Sequence, residues 1–122
     1  MRGIGTDIVD VHRLSRSIRR QAAFVEDVFS ADERAFCEAQ RRPEQHYAAR
    51  FAAKEAFLKA LGLGVFSGVE LRDIEVVRGP GGAPRMRLGP TAAEALAQAG
   101  GGNPLVSVSH ERDMALAFVV VP

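Results

Sequence analysis

The segment from Pro43 to Gly62 most constrains this chain, because it reads as one long helix with a defined start and stop. Proline lacks the N–H that is orphaned in a first helical turn, and Glu44 beside it favours the positive end of the helix dipole. Tyr47, Phe51, Leu58 and Leu61 follow on a helical period. Gly62 is suited to end the helix in the left-handed conformation.

Shorter elements surround it. Residues 3–9, GIGTDIV, read as a strand, and the period changes at Val11, where Val11, Leu14 and Ile18 form a helical apolar stripe. Ser30-Ala31-Asp32-Glu33 is a capping-box pattern that opens a helix through about Gln40. Strands are expected from Val69 to Arg78 and from Pro84 to Leu88, around a glycine-rich turn. Thr91 to Glu94 repeats the capping-box pattern before a helix that ends at Gly100, and Leu105–His110 and Met114–Val121 form a last strand pair. The order β-α-α-α-β-β-α-β-β predicts an α+β fold, a mainly antiparallel sheet with a long central helix. Its 122 residues suit a single domain spanning 1–122.

Composition excludes several classes. No stretch approaches the roughly 20 apolar residues of a membrane span, and the N-terminus lacks a signal-peptide core, so a cytoplasmic protein without membrane association is expected. The single Cys37 fits a reducing compartment and reads as a small helix residue. A net charge of +1 argues against nucleic-acid binding. Locally, however, Arg13, Arg16 and Arg20 share one helix face, with no acid between Val11 and Val25. The chain's only lysines are Lys54 and Lys59.

Three segments carry candidate chemistry. In Gly3-Ile4-Gly5-Thr6-Asp7, two small residues precede an acid on a short strand, which lets a backbone or a ligand approach closely. Asp7 is a turn residue or a ligand, and Asp10 is the better candidate to cap the next helix. In the segment from Arg50 to Lys59, Glu55 and Lys59 stand one turn apart. They form a surface ion pair, or Glu55 holds a metal while Arg50, Lys54 and Lys59 surround a phosphate-bearing ligand, an arrangement that suits Mg²⁺. In Ser107-Val108-Ser109-His110, the serines share one strand face and His110 falls at the strand end. No glycine elbow surrounds either serine as acyl transfer at a nucleophilic serine requires. His12 and His46 read as solvated or packed.

Together these segments resemble the holo-acyl-carrier-protein synthases, the short trimeric branch of the 4′-phosphopantetheinyl transferases. GIGTDIVDVHRL, RFAAKEAFLKALG and SVSH occur in that family's order, and DIEV at residues 73–76 extends the likeness. Two residues depart from it: Leu63 stands where the family usually has threonine, and Ala83 where it usually has lysine. The resemblance implies a 4′-phosphopantetheinyl transferase-like fold and a homotrimer with active sites between subunits. It implies transfer of phosphopantetheine from coenzyme A to a serine of apo-acyl-carrier protein in fatty-acid biosynthesis, with Mg²⁺ as cofactor. Asp7 and Glu55 would hold the metal and, with Lys59, form the catalytic set. Arg50, Lys54, Lys59, Ser109 and His110 would surround the phosphates of coenzyme A, and Arg13, Arg16 and Arg20 would dock the acidic carrier protein. Two alternatives keep the fold: the same chemistry on a polyketide or other specialised carrier, and a catalytically silent module that binds coenzyme A or the carrier.

Overall fold

The computed structural model describes residues 2–64 and 67–122. Its elements run β1 (Gly3–Asp10), α1 (Val11–Arg20), α2 (Phe24–Val28), α3 (Ala31–Glu38), α4 (Pro43–Ala60), β2 (Ile74–Arg78), β3 (Pro84–Leu88), α5 (Pro90–Ala99), β4 (Leu105–Glu111) and β5 (Met114–Val121). All strand pairs are antiparallel, in a three-stranded sheet ordered β1-β5-β4 and a separate β2-β3 hairpin. The fold is α+β, as the alternation of periods predicts.

Glycines in β1 set the spacing between the sheet and the central helix. A methyl group on Gly3 or Gly5 would collide with the backbone carbonyls of Ala60 and Ala56, so β1 lies directly against α4. The helix answers with small residues: Ala52, Ala53, Ala56 and Ala60 are all buried. Val119, Val121 and Ala117 of β5 pack onto the same core with Phe57, Leu58 and Ile74. A second cluster joins α1, α2 and α3 to the first half of α4, where the Phe29 and Tyr47 rings meet edge-on at 4.8 Å. Helix α4 is thus enclosed on nearly every side from Tyr47 to Ala60. It ends as expected: Gly62 has φ 71, and the N–H of Leu63 reaches back to the Leu58 carbonyl at 2.8 Å.

Three expectations need correction. Helix α2 has no counterpart in the sequence reading; it is five residues long and its N-cap Ala23 makes no side-chain cap bond. The strand expected from Val69 begins at Ile74, because Leu71–Asp73 form a 3₁₀ turn. The capping box at Thr91 does not form. Helix α5 starts at Pro90 with Gly89 as N-cap, and the N–H and hydroxyl of Thr91 both donate to the Asp73 carboxylate.

The sheet's two faces differ sharply. Toward α4 lie Gly5, Asp7 and Val9 of β1 with Val119, Ala117 and Ala115 of β5. On the other face, register aligns Ile4, Val120 and Leu105, then Thr6, Phe118 and Ser107, then Ile8, Leu116 and Ser109. There Ile4, Ile8, Leu105, Met114, Leu116 and Phe118 are 39% to 63% exposed.

Candidate active site

Asp7 lies on the helix-facing side of β1, opposite Ala117. It is free for other work because Asp10 caps α1, its Oδ1 accepting from the Arg13 N–H at 3.0 Å. The Lys59 ammonium donates to Asp7 Oδ1 at 3.0 Å and to the Thr6 carbonyl at 3.1 Å. Glu55 sits one helical turn before Lys59. Burial, then the Asp7 carboxylate facing it, push the Glu55 carboxyl above the usual glutamate range, with Lys59 acting partly against them. No hydrogen bond or ion pair to Glu55 is found among the described residues. The structure therefore brings Asp7, Glu55 and Lys59 together on the β1 side of α4, beside a cavity of about 350 Å³ that Arg13, Phe24 and Phe51 also line.

A carboxyl whose proton affinity is raised by burial and by a second carboxylate facing it favours a cation beside it. Among the described residues no group of three or more His, Cys, Asp or Glu is gathered, which does not suit structural zinc. Mg²⁺ needs only one or two protein carboxylates, with phosphate oxygens and water completing its shell. The donor set fits that ion.

Arg50, Ser109 and His110 gather elsewhere. They line a second cavity of about 330 Å³ with His46, Arg78 and Pro84. Arg50 is 6% exposed, its Nε lacks a hydrogen-bond partner, and its guanidinium lies 4.2 Å from the Phe36 ring centroid. The His46 ring meets Phe36 at 5.6 Å and His110 at 5.4 Å. Burial, followed by His110, Arg50 and Arg78, lowers the proton affinity of His46. His46 is thus packed, as the sequence reading allows, but at the wall of a cavity. Its position one helical turn before Arg50 was the signal available in the sequence; Arg78, on the hairpin, offered none. Ala83 leaves no side-chain cation at its own place on the hairpin turn, and Arg78 there donates to the Gly82 carbonyl at 3.0 Å.

Lys54 requires a correction. It was expected at the phosphates, but it is fully buried on another side of α4. Its Nζ donates to Glu33 Oε1 at 2.7 Å and to the carbonyls of Leu71 at 2.9 Å and Ile74 at 2.7 Å. An ammonium has three donors, so none remains for a ligand. Glu33 in turn accepts from the N–H groups of Ser30 and Val76. Lys54 is a structural tie between α3, α4 and β2.

The two cavities share no lining residue. Asp7 belongs to one edge strand and His110 to the other, with β5 between them, so two strand spacings, roughly 10 Å, separate their strands across the sheet. Arg13, Arg16 and Arg20 are all exposed on α1, with Arg13 reaching the rim of the acidic cavity.

Residues 3–119 match the family model described as the 4′-phosphopantetheinyl transferase superfamily. The chain belongs to this superfamily. Among its phosphopantetheinyl transferase relatives, a holo-[acyl-carrier-protein] synthase of Syntrophotalea carbinolica is 44% identical, covering 97% of this chain and 93% of that protein. The corresponding protein of Methylobacterium radiotolerans is 46% identical over 98% and 91%. Solved structures agree. The holo-[acyl-carrier-protein] synthase of Neisseria meningitidis superposes with a TM-score of 0.90 at 36% identity, over 100% of this chain and 98% of that one. That of Helicobacter pylori, in complex with coenzyme A, gives 0.84 at 31% identity over 98% and 99%.

Proposed function

We propose that this chain transfers the 4′-phosphopantetheine group of coenzyme A to a serine of apo-acyl-carrier protein, releasing adenosine 3′,5′-bisphosphate. The observation that carries the reading is the convergence of Asp7, Glu55 and Lys59 on one side of α4. It is supported by relatives named for this activity and by the structural neighbour that binds coenzyme A. We take the whole of residues 1–122 as one such domain.

The carrier's serine hydroxyl attacks the phosphorus on the pantetheine side of the pyrophosphate, its proton passes to water, and the bond from that phosphorus to the bridging oxygen breaks. Charge builds on the departing phosphate, so fixed positive groups stabilise the transition state most. Asp7 and Glu55 would hold Mg²⁺, which when bound supplies Lewis-acid neutralisation of the pyrophosphate. Lys59, oriented by Asp7 and the Thr6 carbonyl, brings an ammonium to the same oxygens. Arg50, Ser109 and His110 bind further phosphate of the coenzyme. The nucleophile comes from the carrier, so this chain needs none.

Because the acidic and basic cavities lie at opposite sheet edges, a second copy is the natural way to bring them together. The exposed apolar sheet face supports such an assembly, and the homotrimer is our reading. The exposed arginines of α1 suit an acidic carrier protein, steering encounter more than fixing affinity. We place the protein in the cytoplasm, in fatty-acid biosynthesis; no described helix is long and apolar enough to cross a membrane.

Mass spectrometry of apo-acyl-carrier protein incubated with the protein, coenzyme A and Mg²⁺ tests the proposal. The carrier gains one phosphopantetheine, and the gain is lost with chelator or in Asp7→Ala. Transfer only to polyketide carriers redirects the pathway, and no transfer to any carrier tested leaves the silent binding module.

A further inference from the structure

The basic cavity beside β4 holds more charge than its assigned residues account for. Besides Arg50 and His110 it is lined by Arg78 and His46. Arg78 ends β2, and its guanidinium lies 5.1 Å from the centroid of the Phe36 ring that also carries Arg50. Both guanidiniums are thus fixed against one aromatic ring, Arg50 with a buried Nε that has no partner.

Charge neutralisation separates Arg78 from its neighbour on the hairpin. Arg87 is matched by Asp32 at 2.9 Å and Glu75 at 3.0 Å. For Arg78 no carboxylate partner is found among the described residues. Its hydrogen bond to the Gly82 carbonyl uses one of the five N–H donors of a guanidinium. The cations of this cavity also press on one another. Burial is the first cause that lowers the proton affinity of Arg50 and of His46; Arg78 adds to it at both, and His110 and Arg50 add to it at His46. Holding like charges together over an apolar ring is unfavourable unless an anion completes the set.

We propose that Arg78, supported by His46, is a further substrate-binding residue that makes this cavity selective for a phosphomonoester dianion. The proposal rests on the reading of coenzyme A as co-substrate. Coenzyme A carries a single phosphomonoester, on the 3′ position of its ribose; its other two phosphorus atoms form the pyrophosphate diester. A guanidinium with free donors matches the paired oxygens of a phosphate better than a point charge does. Arg78 thereby sets the preference for coenzyme A over its 3′-dephospho form.

The test is calorimetric titration of the native protein, Arg78→Ala and Arg78→Lys with coenzyme A and with 3′-dephospho-coenzyme A, at fixed salt. The readout is the ratio of the two dissociation constants. In Arg78→Ala the native preference for coenzyme A falls about tenfold, as loss of a charge-assisted hydrogen bond predicts, and Arg78→Lys recovers part of it. An unchanged ratio overturns the proposal, including the case in which both coenzymes weaken alike because Arg78 only holds the hairpin turn. Binding is read without transfer, so a protein that discriminates between the coenzymes yet modifies no carrier refutes the proposed function and leaves this inference standing.

Discussion

Lys54 and Lys59 are five residues apart on α4, so the helix turns them about 140° away from each other. One is sealed in the core against Glu33, and the other stands 56% exposed beside Asp7. Their replacement should separate stability from chemistry. Lys54→Met leaves the Glu33 carboxylate buried without its cation, a loss on the order of 3–5 kcal/mol, read from the denaturation midpoint. Lys59→Met removes a largely exposed pair and should cost below about 1 kcal/mol. Its effect falls on transfer, which drops on the order of 100-fold or more if the ammonium meets the developing charge. Equal loss of stability in both variants would contradict this division. The sequence marked both lysines as unusual but could not tell them apart. Which one meets a ligand depends on where α3 docks, and that is set by contacts between Glu33 and residues 20 or more positions away.

The β2–β3 hairpin is fastened to the start of α3 by charge. Arg87 grips both carboxylate oxygens of Glu75 at 3.0 Å and also reaches Asp32, while the Ser30 hydroxyl donates to Glu75. The Arg87 hydrogen bonds, first among the causes, hold the Glu75 carboxyl below its ordinary value of 4.5. A depressed carboxyl stabilises the fold above that ordinary value, and the contribution drains away as the pH falls through the lower, folded one. The melting temperature should therefore decline on acidification below about pH 4.5, and Arg87→Ala should decline less steeply. Parallel curves would refute this. Local signals of this kind were partly legible in the sequence. The Ser30 capping box and the Gly62 stop could be read because all their partners lie within one turn. The start of α5 was misread because Thr91 serves Asp73, a residue 18 positions away. Helix α2 is too short to show a period and has no side-chain cap; the acids Glu26 and Asp27 in its first turn were its only local signal.

Across the whole molecule, the sheet buries one face against α4 and leaves the other bare. Alternation along each strand predicted two faces, but not that the outward one would gather Ile4 and Ile8 of β1, Met114, Leu116 and Phe118 of β5 and Leu105 of β4; that follows from register. The candidate site residues were likewise legible as types in a familiar order. Their division between two edges of the sheet was not, since strand order cannot be read from strand patterns. If copies meet through this face, Leu116→Asp at its middle strand should shift light scattering from trimer to monomer. It should also reduce transfer, although Asp7, Glu55 and Lys59 are untouched. A native protein that scatters as a monomer at assay concentration would refute the assembly. On that reading the bare face also links activity to abundance through mass action. Dilution would part the acidic half-site from the basic one before any chain unfolds, and concentrating the same sample would restore it. Specific activity would then rise with protein concentration, and the catalytic unit would be an equilibrium rather than a molecule.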